Sequence, residues 1–154
     1  MAHISISPAL QQLIDALCGL PGIGPKTAQR MSFQLLCESG RQKGHILSSA
    51  LKNALERITL CSQCRGYTEQ TTCELCQSPK RDRTKLCVVE TPADILAIEQ
   101  THSFQGLYFV LHGRLSPLDG IGPQEIGIPH LLNHVKEQAI KELIIATNPT
   151  MEGR

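Results

Sequence analysis

The amino-acid sequence predicts a multidomain α+β protein: a small helical part, then a short metal-binding segment, then an α/β part with a parallel sheet. Three observations support this fold class. Apolar residues recur at helical spacing up to residue 60, four cysteines stand in two Cys-x2-Cys pairs, and after residue 85 continuous apolar runs alternate with helical patterns. We expect the divisions at residues 1–60, 61–76, 77–85 and 86–154, where 77–85 is a basic connector.

Three helices are predicted in the first part. Ser7-Pro8 is a typical helix start, because serine caps the first turn and proline suits its first position. This helix should end near Cys18-Gly19, and a tight turn at 20–24 should lead into a second helix that begins at Pro25. A third helix is predicted at about residues 46–60. Its aliphatic residues are expected to face inward: Ile46, Leu47, Ala50, Leu51, Ala54, Leu55 and Ile58.

The α/β part is predicted to begin with a buried strand. Residues 86–89 and 107–111 are continuous apolar runs, as in strands that are buried on both faces of a parallel sheet. Between these runs, Thr91 and Asp94 have the spacing of a capping box, which predicts a helix that starts at Pro92.

The rest of this part continues the same alternation. A loop rich in glycine and proline at 112–129 precedes a second helix and a third strand at 143–146, an order that is typical of α/β folds. No further helix follows, so we expect a C-terminally truncated chain whose uncovered sheet is covered by a neighbouring copy. His130 and His134 are four residues apart on the second helix, and we expect them on a solvated face rather than in a metal site.

Composition and charge narrow the functional classes. The longest apolar runs hold four or five of the 154 residues, far short of the roughly 20 that a membrane span needs. The N-terminus lacks the pattern of a secretory signal, so we expect a cytoplasmic protein. Residues 1–85 carry 11 Lys and Arg against 6 Asp and Glu, whereas residues 86–154 carry 4 against 8. The basic half suggests an anionic partner, and the acidic half suggests a metal or protein partner.

The cysteine pattern is the strongest chemical signal. Cys61, Cys64, Cys73 and Cys76 form two Cys-x2-Cys pairs that are separated by eight residues. Each pair places two thiolates on one tight turn, and two pairs supply the four soft donors of a tetrahedral zinc site. Four thiolates leave no open position for water, so we predict one structural Zn²⁺ per chain rather than a catalytic one. The alternative is a set of four unrelated buried thiols.

A second signal is the turn LPGIGPKTA at residues 20–28. Gly22 and Gly24 allow a close backbone approach, and the N–H groups that follow belong to a helix N-terminus, which attracts anions. Lys26 and Arg30 lie four apart on one helix face, where they can reach flanking phosphates. The pattern resembles the helix-hairpin-helix motif of DNA repair proteins, which grips the phosphate backbone without reading sequence. The alternative is an ordinary αα-hairpin with solvated charges.

A third signal is Glu90 at the carboxyl end of the run 86–89, where α/β sheets place their sites. LCVVE resembles the opening of the Toprim fold of topoisomerases and primases, whose Glu acts in phosphoryl chemistry. Toprim enzymes add an Asp-x-Asp pair after the third strand, but residues 147–154 offer only Glu152, with Arg154 close by. We therefore expect no catalytic residue, weak Mg²⁺ binding or none, and an acidic or partner site at Glu90 and Glu152. The alternative for Glu90 is an acid at a helix entry.

The order of these features indicates a family. A helix-hairpin-helix, a four-cysteine zinc finger and a Toprim-like sheet, in that order, closely resemble the RecR family of bacterial recombination mediators. The resemblance extends over essentially the whole chain. It rests on the cysteine spacing and on LPGIGPKTAQR at 20–30, CVVE at 87–90, DILAIE at 94–99, SPLDGIGP at 116–123 and ATNPTMEG at 146–153. Two departures are Arg154, where the family usually carries an acidic residue, and the missing C-terminal part of the family's chain.

This resemblance implies a function in recombinational DNA repair. Proteins of this family form ring-like oligomers that encircle or clamp DNA, act with the partner proteins RecO and RecF, and help load RecA recombinase on gapped or single-stranded DNA. The resemblance thus implies a nucleoid-associated, DNA-binding homo-oligomer that is not an enzyme. One alternative is a metal-dependent Toprim nuclease or primase, which the missing Asp-x-Asp disfavours. Another is a zinc-ribbon transcription or RNA factor, which leaves the hairpin and the α/β part unexplained.

Overall fold

The computed structural model describes residues 7–116 and 120–148. Residue contacts divide the chain into two compact units, Met1–Glu56 and Arg57–Arg154. The first unit is helical, and the second contains two small sheets and the other helices. Within the described ranges, no helix combines the length and the apolar character that crossing a lipid bilayer requires.

The first unit is built from α1 (Pro8–Cys18), α2 (Pro25–Leu36) and α3 (Arg41–Arg57), the last of which ends in the second unit. The two predicted proline starts are confirmed, because Pro8 and Pro25 both stand at the beginning of their helices. A proline at this position gives up no intrahelical hydrogen bond. α1 and α2 pack on each other, and their buried residues are Ile14, Ala28 and Ser32.

Helix α3 starts and ends earlier than predicted. It begins at Arg41 rather than near residue 46, after a close turn at Gly40. A Cβ on Gly40 would lie 1.7 Å from the carbonyl oxygen of Gln34, so only glycine fits this turn. The helix ends at Arg57 because Thr59–Leu60 form a strand instead.

The expected inward face of α3 is exposed, and this prediction was wrong. No residue of α3 is buried, and the exposed fraction reaches 76% at Leu55. Ile46, Leu47 and Leu51 of the same face are also exposed. Aliphatic spacing shows that a helix has an apolar face, but it does not show what covers that face.

The second unit combines a short antiparallel hairpin with a three-stranded parallel sheet. Its elements are β1 (Thr59–Leu60), β2 (Tyr67–Thr68), α4 (Glu74–Gln77), β3 (Asp82–Val89), α5 (Pro92–Gln100), β4 (Gly106–Val110), α6 (Ile128–Glu137) and β5 (Glu142–Ala146). The sheet has the order β4-β3-β5 with both pairings parallel, which confirms the predicted strand and helix alternation. β3 begins at Asp82 rather than at residue 86, because polar residues continue its backbone pairing.

The core of this unit lies on both faces of the parallel sheet, as the apolar runs predicted. All five residues of β4 are buried, as are the last four of β3. One face packs with Leu131 of α6 and the other with Ile95 of α5. The predicted capping box at the start of α5 is confirmed, since the Thr91 N–H donates to Asp94 Oδ2 at 2.7 Å. β5 differs from the other two strands, because Ile145 is 67% exposed.

The histidine pair on α6 does not lie wholly on a solvated face, and that prediction was wrong for His134. His130 is exposed, but His134 is 5% exposed and its ring centre lies 6.2 Å from that of Phe109. His134 follows Leu131 by three residues, so both lie on the helix face that packs against the sheet.

Candidate metal centre and nucleic-acid interface

The four predicted cysteines come together in one cluster in the second unit. The Sγ atoms of Cys61, Cys64, Cys73 and Cys76 all lie within 4.8 Å of one another. Cys73 is half-buried and the other three are buried. Among the described residues this is the one group of three or more His, Cys, Asp or Glu side chains arranged to hold a metal ion.

Tight turns position these sulfur atoms. The Arg65 N–H donates to the Cys61 carbonyl at 2.9 Å, and the Cys61 N–H donates to the Gly66 carbonyl at 2.8 Å. Two further amides donate to sulfur: Gly66 N–H to Cys64 Sγ, and Cys73 N–H to Cys61 Sγ, both at 3.3 Å. Hydrogen bonds of this kind stabilise thiolates, which are the metal-binding form of cysteine.

The electrostatics of four close thiols favour a bound cation. The Cys64 and Cys73 sulfurs are 3.6 Å apart. The pKa of Cys64 is raised by its hydrogen bond with Cys73. The pKa of Cys76 is raised by its hydrogen bond with Cys64. The pKa of Cys73 is lowered, because its thiolate accepts a hydrogen bond from Cys64. Without a cation, one thiolate is stabilised by neighbouring thiols that keep their protons. A divalent cation lets all four thiols ionise. Four sulfur donors fit a soft ion such as Zn²⁺.

The first cysteine turn is attached directly to the parallel sheet. The Val110 N–H donates to the Cys64 carbonyl at 2.8 Å. Arg65 Nη1 donates to the Ile126 carbonyl at 2.7 Å, and its guanidinium carbon lies 5.8 Å from the centre of the Phe109 ring. The metal centre therefore supports the α/β fold. Sequence reasoning missed Arg65, because its partners are about 45 to 60 positions away and no local pattern marks them.

The hairpin residues lie in the first unit. Gly22 has a φ of 80°, a left-handed conformation that favours glycine. Gly24 is the residue before α2, and a Cβ there would meet nothing within 4 Å. Open space at both glycines leaves the backbone of the turn accessible to a ligand. The first N–H groups of α2 have no partner within the helix, which makes this end of α2 attractive to an anion.

Lys26 and Arg30 stand beside this turn on α2. Both are exposed, one helical turn apart, and neither forms an ion pair with any residue of the described ranges. Their positive charges are therefore available to an external anion.

The structure places Glu90 at the end of β3, next to Asn148 after β5. Glu90 is 7% exposed. Its Oε1 accepts a hydrogen bond from the Asn148 N–H at 2.9 Å, and its Oε2 accepts one from Asn148 Nδ2 at 2.7 Å. Sequence reasoning missed this pair, although adjacent parallel strands bring their carboxyl ends together. Glu152 and Arg154 lie outside the described residues.

Comparison with known proteins places both units in named families. A model described as RecR, helix-hairpin-helix matches residues 10–55, and a Toprim domain model matches residues 84–154. With the four-cysteine cluster between these ranges, they confirm the predicted fold class.

Curated relatives agree with these matches. "Recombination protein RecR" of Coxiella burnetii is 63% identical over 148 residues, which are 96% of this chain and 74% of that protein. Proteins of the same name from Legionella pneumophila subsp. pneumophila and Methylococcus capsulatus are 55% and 54% identical, over 95% and 94% of this chain and 73% of each relative. Because the similarity is this high over most of both chains, the chain belongs to the RecR family of recombination proteins.

Proposed function

We propose that this protein is a DNA-binding recombination mediator in recombinational DNA repair. The observation that carries the proposal is the hairpin, where an open glycine turn is followed by Lys26 and Arg30, which are exposed and form no ion pair within the described ranges. The names of the relatives, which are recombination proteins, support the same function.

DNA binding at this hairpin would be independent of sequence. The free N–H groups at the start of α2 would donate to phosphate oxygens, which come closest where Gly22 and Gly24 carry no side chain. Lys26 and Arg30 would neutralise flanking phosphates. Contacts to phosphates set affinity and orientation but carry no base information, which suits a mediator that acts at any gap.

We propose that the four cysteines hold one structural Zn²⁺. Cys61, Cys64, Cys73 and Cys76 supply four sulfur donors and leave no open position for a substrate or water. When bound, the ion supplies a rigid cross-link and no reaction chemistry. The cysteine turns would thereby keep Arg65 and Cys64 attached to the sheet.

We propose that the Toprim-like site does not catalyse a reaction. Both carboxylate oxygens of Glu90 already accept hydrogen bonds from Asn148. Mg²⁺ prefers several carboxylate and water ligands, and an amide beside one engaged carboxylate is a poor substitute. Residues 86–154, which carry 4 Lys and Arg against 8 Asp and Glu, are better suited to binding a protein than to phosphoryl transfer.

Membership of the family suggests RecO and RecF as the protein partners. With them, the protein would help load RecA recombinase on gapped or single-stranded DNA. It would act on the nucleoid, in the cytoplasm. Homo-oligomer formation is supported by the exposed aliphatic face of α3, because monomeric proteins rarely leave a contiguous apolar face in water. Binding of purified RecO and RecF to the immobilised protein tests the partner assignment.

The salt dependence of DNA binding tests the central proposal. Each neutralised phosphate contributes about 0.9 to the slope of log K against log salt on duplex DNA, and about 0.7 on single strands. Lys26→Ala with Arg30→Ala should therefore reduce that slope by about 1.8 or about 1.4, and should weaken binding to all sequences equally. Lys136→Ala with Lys141→Ala, which removes the same charge from the second unit, is the matched control. An unchanged slope in the hairpin variant, or an equal loss in the control, would place the DNA elsewhere.

A further inference from the structure

A cavity of ≈ 500 Å³ lies beside the four-cysteine cluster, between the cysteine turns and helix α5. Cys64 and Cys73 line it from the cluster, and Pro92, Ile95 and Leu96 line it from the helix. All of its lining residues belong to the second unit. Because a water molecule takes up about 30 Å³ in the liquid, a cavity of this size has room for small solutes beside the cysteines.

Cys73 is the most accessible of the four clustered cysteines. It is half-buried, whereas Cys61, Cys64 and Cys76 each expose 3% or less of their surface. Oxidation of cysteine depends on thiolate character and on exposure. Metal binding makes thiolates of all four sulfurs, so it is their exposure that distinguishes them. A dissolved oxidant should therefore react with Cys73 first.

Cys64 is placed to react with an oxidised Cys73. Their Sγ atoms are 3.6 Å apart, so Cys64 needs no access of its own from the cavity. The exposed Cys37 of the first unit provides a contrast, because its described hydrogen bonds are to oxygen atoms of Gln34 and Ser39 rather than to a second sulfur. Exposure marks both Cys37 and Cys73, but the adjacent second sulfur marks Cys73.

The charges around the cavity favour a neutral oxidant. Glu69 and Glu74 line it, and none of its lining residues is a lysine or an arginine. Glu69 is paired with Arg57, but Glu74 forms no ion pair within the described ranges. Four thiolates around one Zn²⁺ add a net negative charge. Anionic oxidants are therefore repelled, whereas hydrogen peroxide, which is small and uncharged at pH 7, is not.

We propose that Cys73 is a site of oxidation by hydrogen peroxide and that Cys64 captures the oxidised sulfur in a disulfide. The Cys73 sulfur attacks one peroxide oxygen, the O–O bond breaks and hydroxide leaves, so the sulfur gives up two electrons and becomes a sulfenic acid. The Cys64 thiolate then attacks this sulfur, the S–S bond forms, and the S–O bond breaks with loss of a second hydroxide. Two protons from the solvent convert both hydroxides to water.

The disulfide inactivates the metal centre. It removes two of the four sulfur donors, so the metal is released. The turn that contains Cys64 is bonded to the sheet through the Cys64 carbonyl, which accepts from the Val110 N–H, and through Arg65, so its attachment to the sheet weakens. The release of metal rests on the proposed Zn²⁺ site, whereas the formation of the disulfide does not.

The test adds hydrogen peroxide to the purified protein, follows metal release with a coloured chelator, and maps disulfides by peptide mass spectrometry after free thiols are blocked. We expect the first disulfide to join Cys64 and Cys73, with one metal ion released for each, and recovery with a thiol reductant and Zn²⁺. Cys37→Ser removes an exposed thiol outside the cluster and should leave the rate of release unchanged. Leu96→Trp narrows the cavity and should slow the release several-fold. Leu132→Trp, at an exposed position of α6 that does not line the cavity, should not slow it.

The outcomes separate this inference from the proposed zinc site. A first disulfide that contains Cys61 or Cys76, over-oxidation of Cys73 without a disulfide, or equal rates in the two tryptophan variants would overturn the inference. If the untreated protein holds no metal, the proposed Zn²⁺ site fails, and a Cys64–Cys73 disulfide formed by peroxide would still support the inference. If the protein holds zinc and keeps it at peroxide concentrations that oxidise Cys37, the zinc site stands and the inference fails.

Discussion

Arg65 connects the metal-binding turn to the parallel sheet, and we expect Arg65→Ala to destabilise the second unit by about 2–4 kcal/mol. Its 2.7 Å hydrogen bond to the Ile126 carbonyl has a charged donor, and such bonds contribute about 1.5–3 kcal/mol. The guanidinium beside the Phe109 ring, at 5.8 Å, adds about 0.5–1 kcal/mol. Both contributions are lost when the side chain is cut back to its Cβ.

A second substitution separates the side chain from the backbone at this position. Arg65 has a φ of 61°, a left-handed conformation that costs a non-glycine residue about 1 kcal/mol. Arg65→Gly removes the same guanidinium and relieves this cost, so it should be less destabilising than Arg65→Ala by about that amount. Arg57→Ala is the control, since its ion pair with Glu69 is exposed at both partners and should contribute less than about 1 kcal/mol.

The assay is urea unfolding, followed by circular dichroism and by release of the metal to a coloured chelator. Arg65→Ala should unfold and release metal at lower urea concentration than the wild type, with Arg65→Gly between them. A loss below about 1 kcal/mol in Arg65→Ala, or a loss equal to that of Arg57→Ala, would refute the view that this contact attaches the turn to the sheet.

Three further predictions concern the metal centre, the Toprim-like site and the oligomer. Cys64→Ser should lose the metal and lower the melting temperature, because residues 61–76 have few apolar side chains and metal binding supplies much of their folding energy. Elemental analysis that finds no zinc in clean wild-type protein would contradict this. Plasmid DNA should stay intact with Mg²⁺ or Mn²⁺ in both the wild type and Glu90→Gln, and nicking that disappears in the variant would support a nuclease. Leu51→Glu should dissociate a homo-oligomer in sedimentation experiments, because it puts a charge on the exposed apolar face of α3; a monomeric wild type would refute this.

The sequence alone predicted the elements whose signals are local. Pro8 and Pro25 mark helix starts because the missing N–H and the restricted φ of proline act within one turn. The capping box at Thr91 and each Cys-x2-Cys pair are equally local, since each involves residues three positions apart. The sequence also predicted the buried runs in β3 and β4, because strands covered on both faces need apolar side chains at every position.

Contacts between distant segments were decided only by the tertiary structure. Asn148 engages Glu90 because β3 and β5 are neighbours in the sheet, although 58 positions separate the two residues. His134 is buried because the face of α6 that carries Leu131 packs on that sheet, and the aliphatic face of α3 stays exposed because no described residue buries it. Residue types and spacing set which conformations and which ligands a segment favours. Which surfaces meet depends on how the whole chain packs, and that packing decided the partners of Arg65, Glu90 and His134.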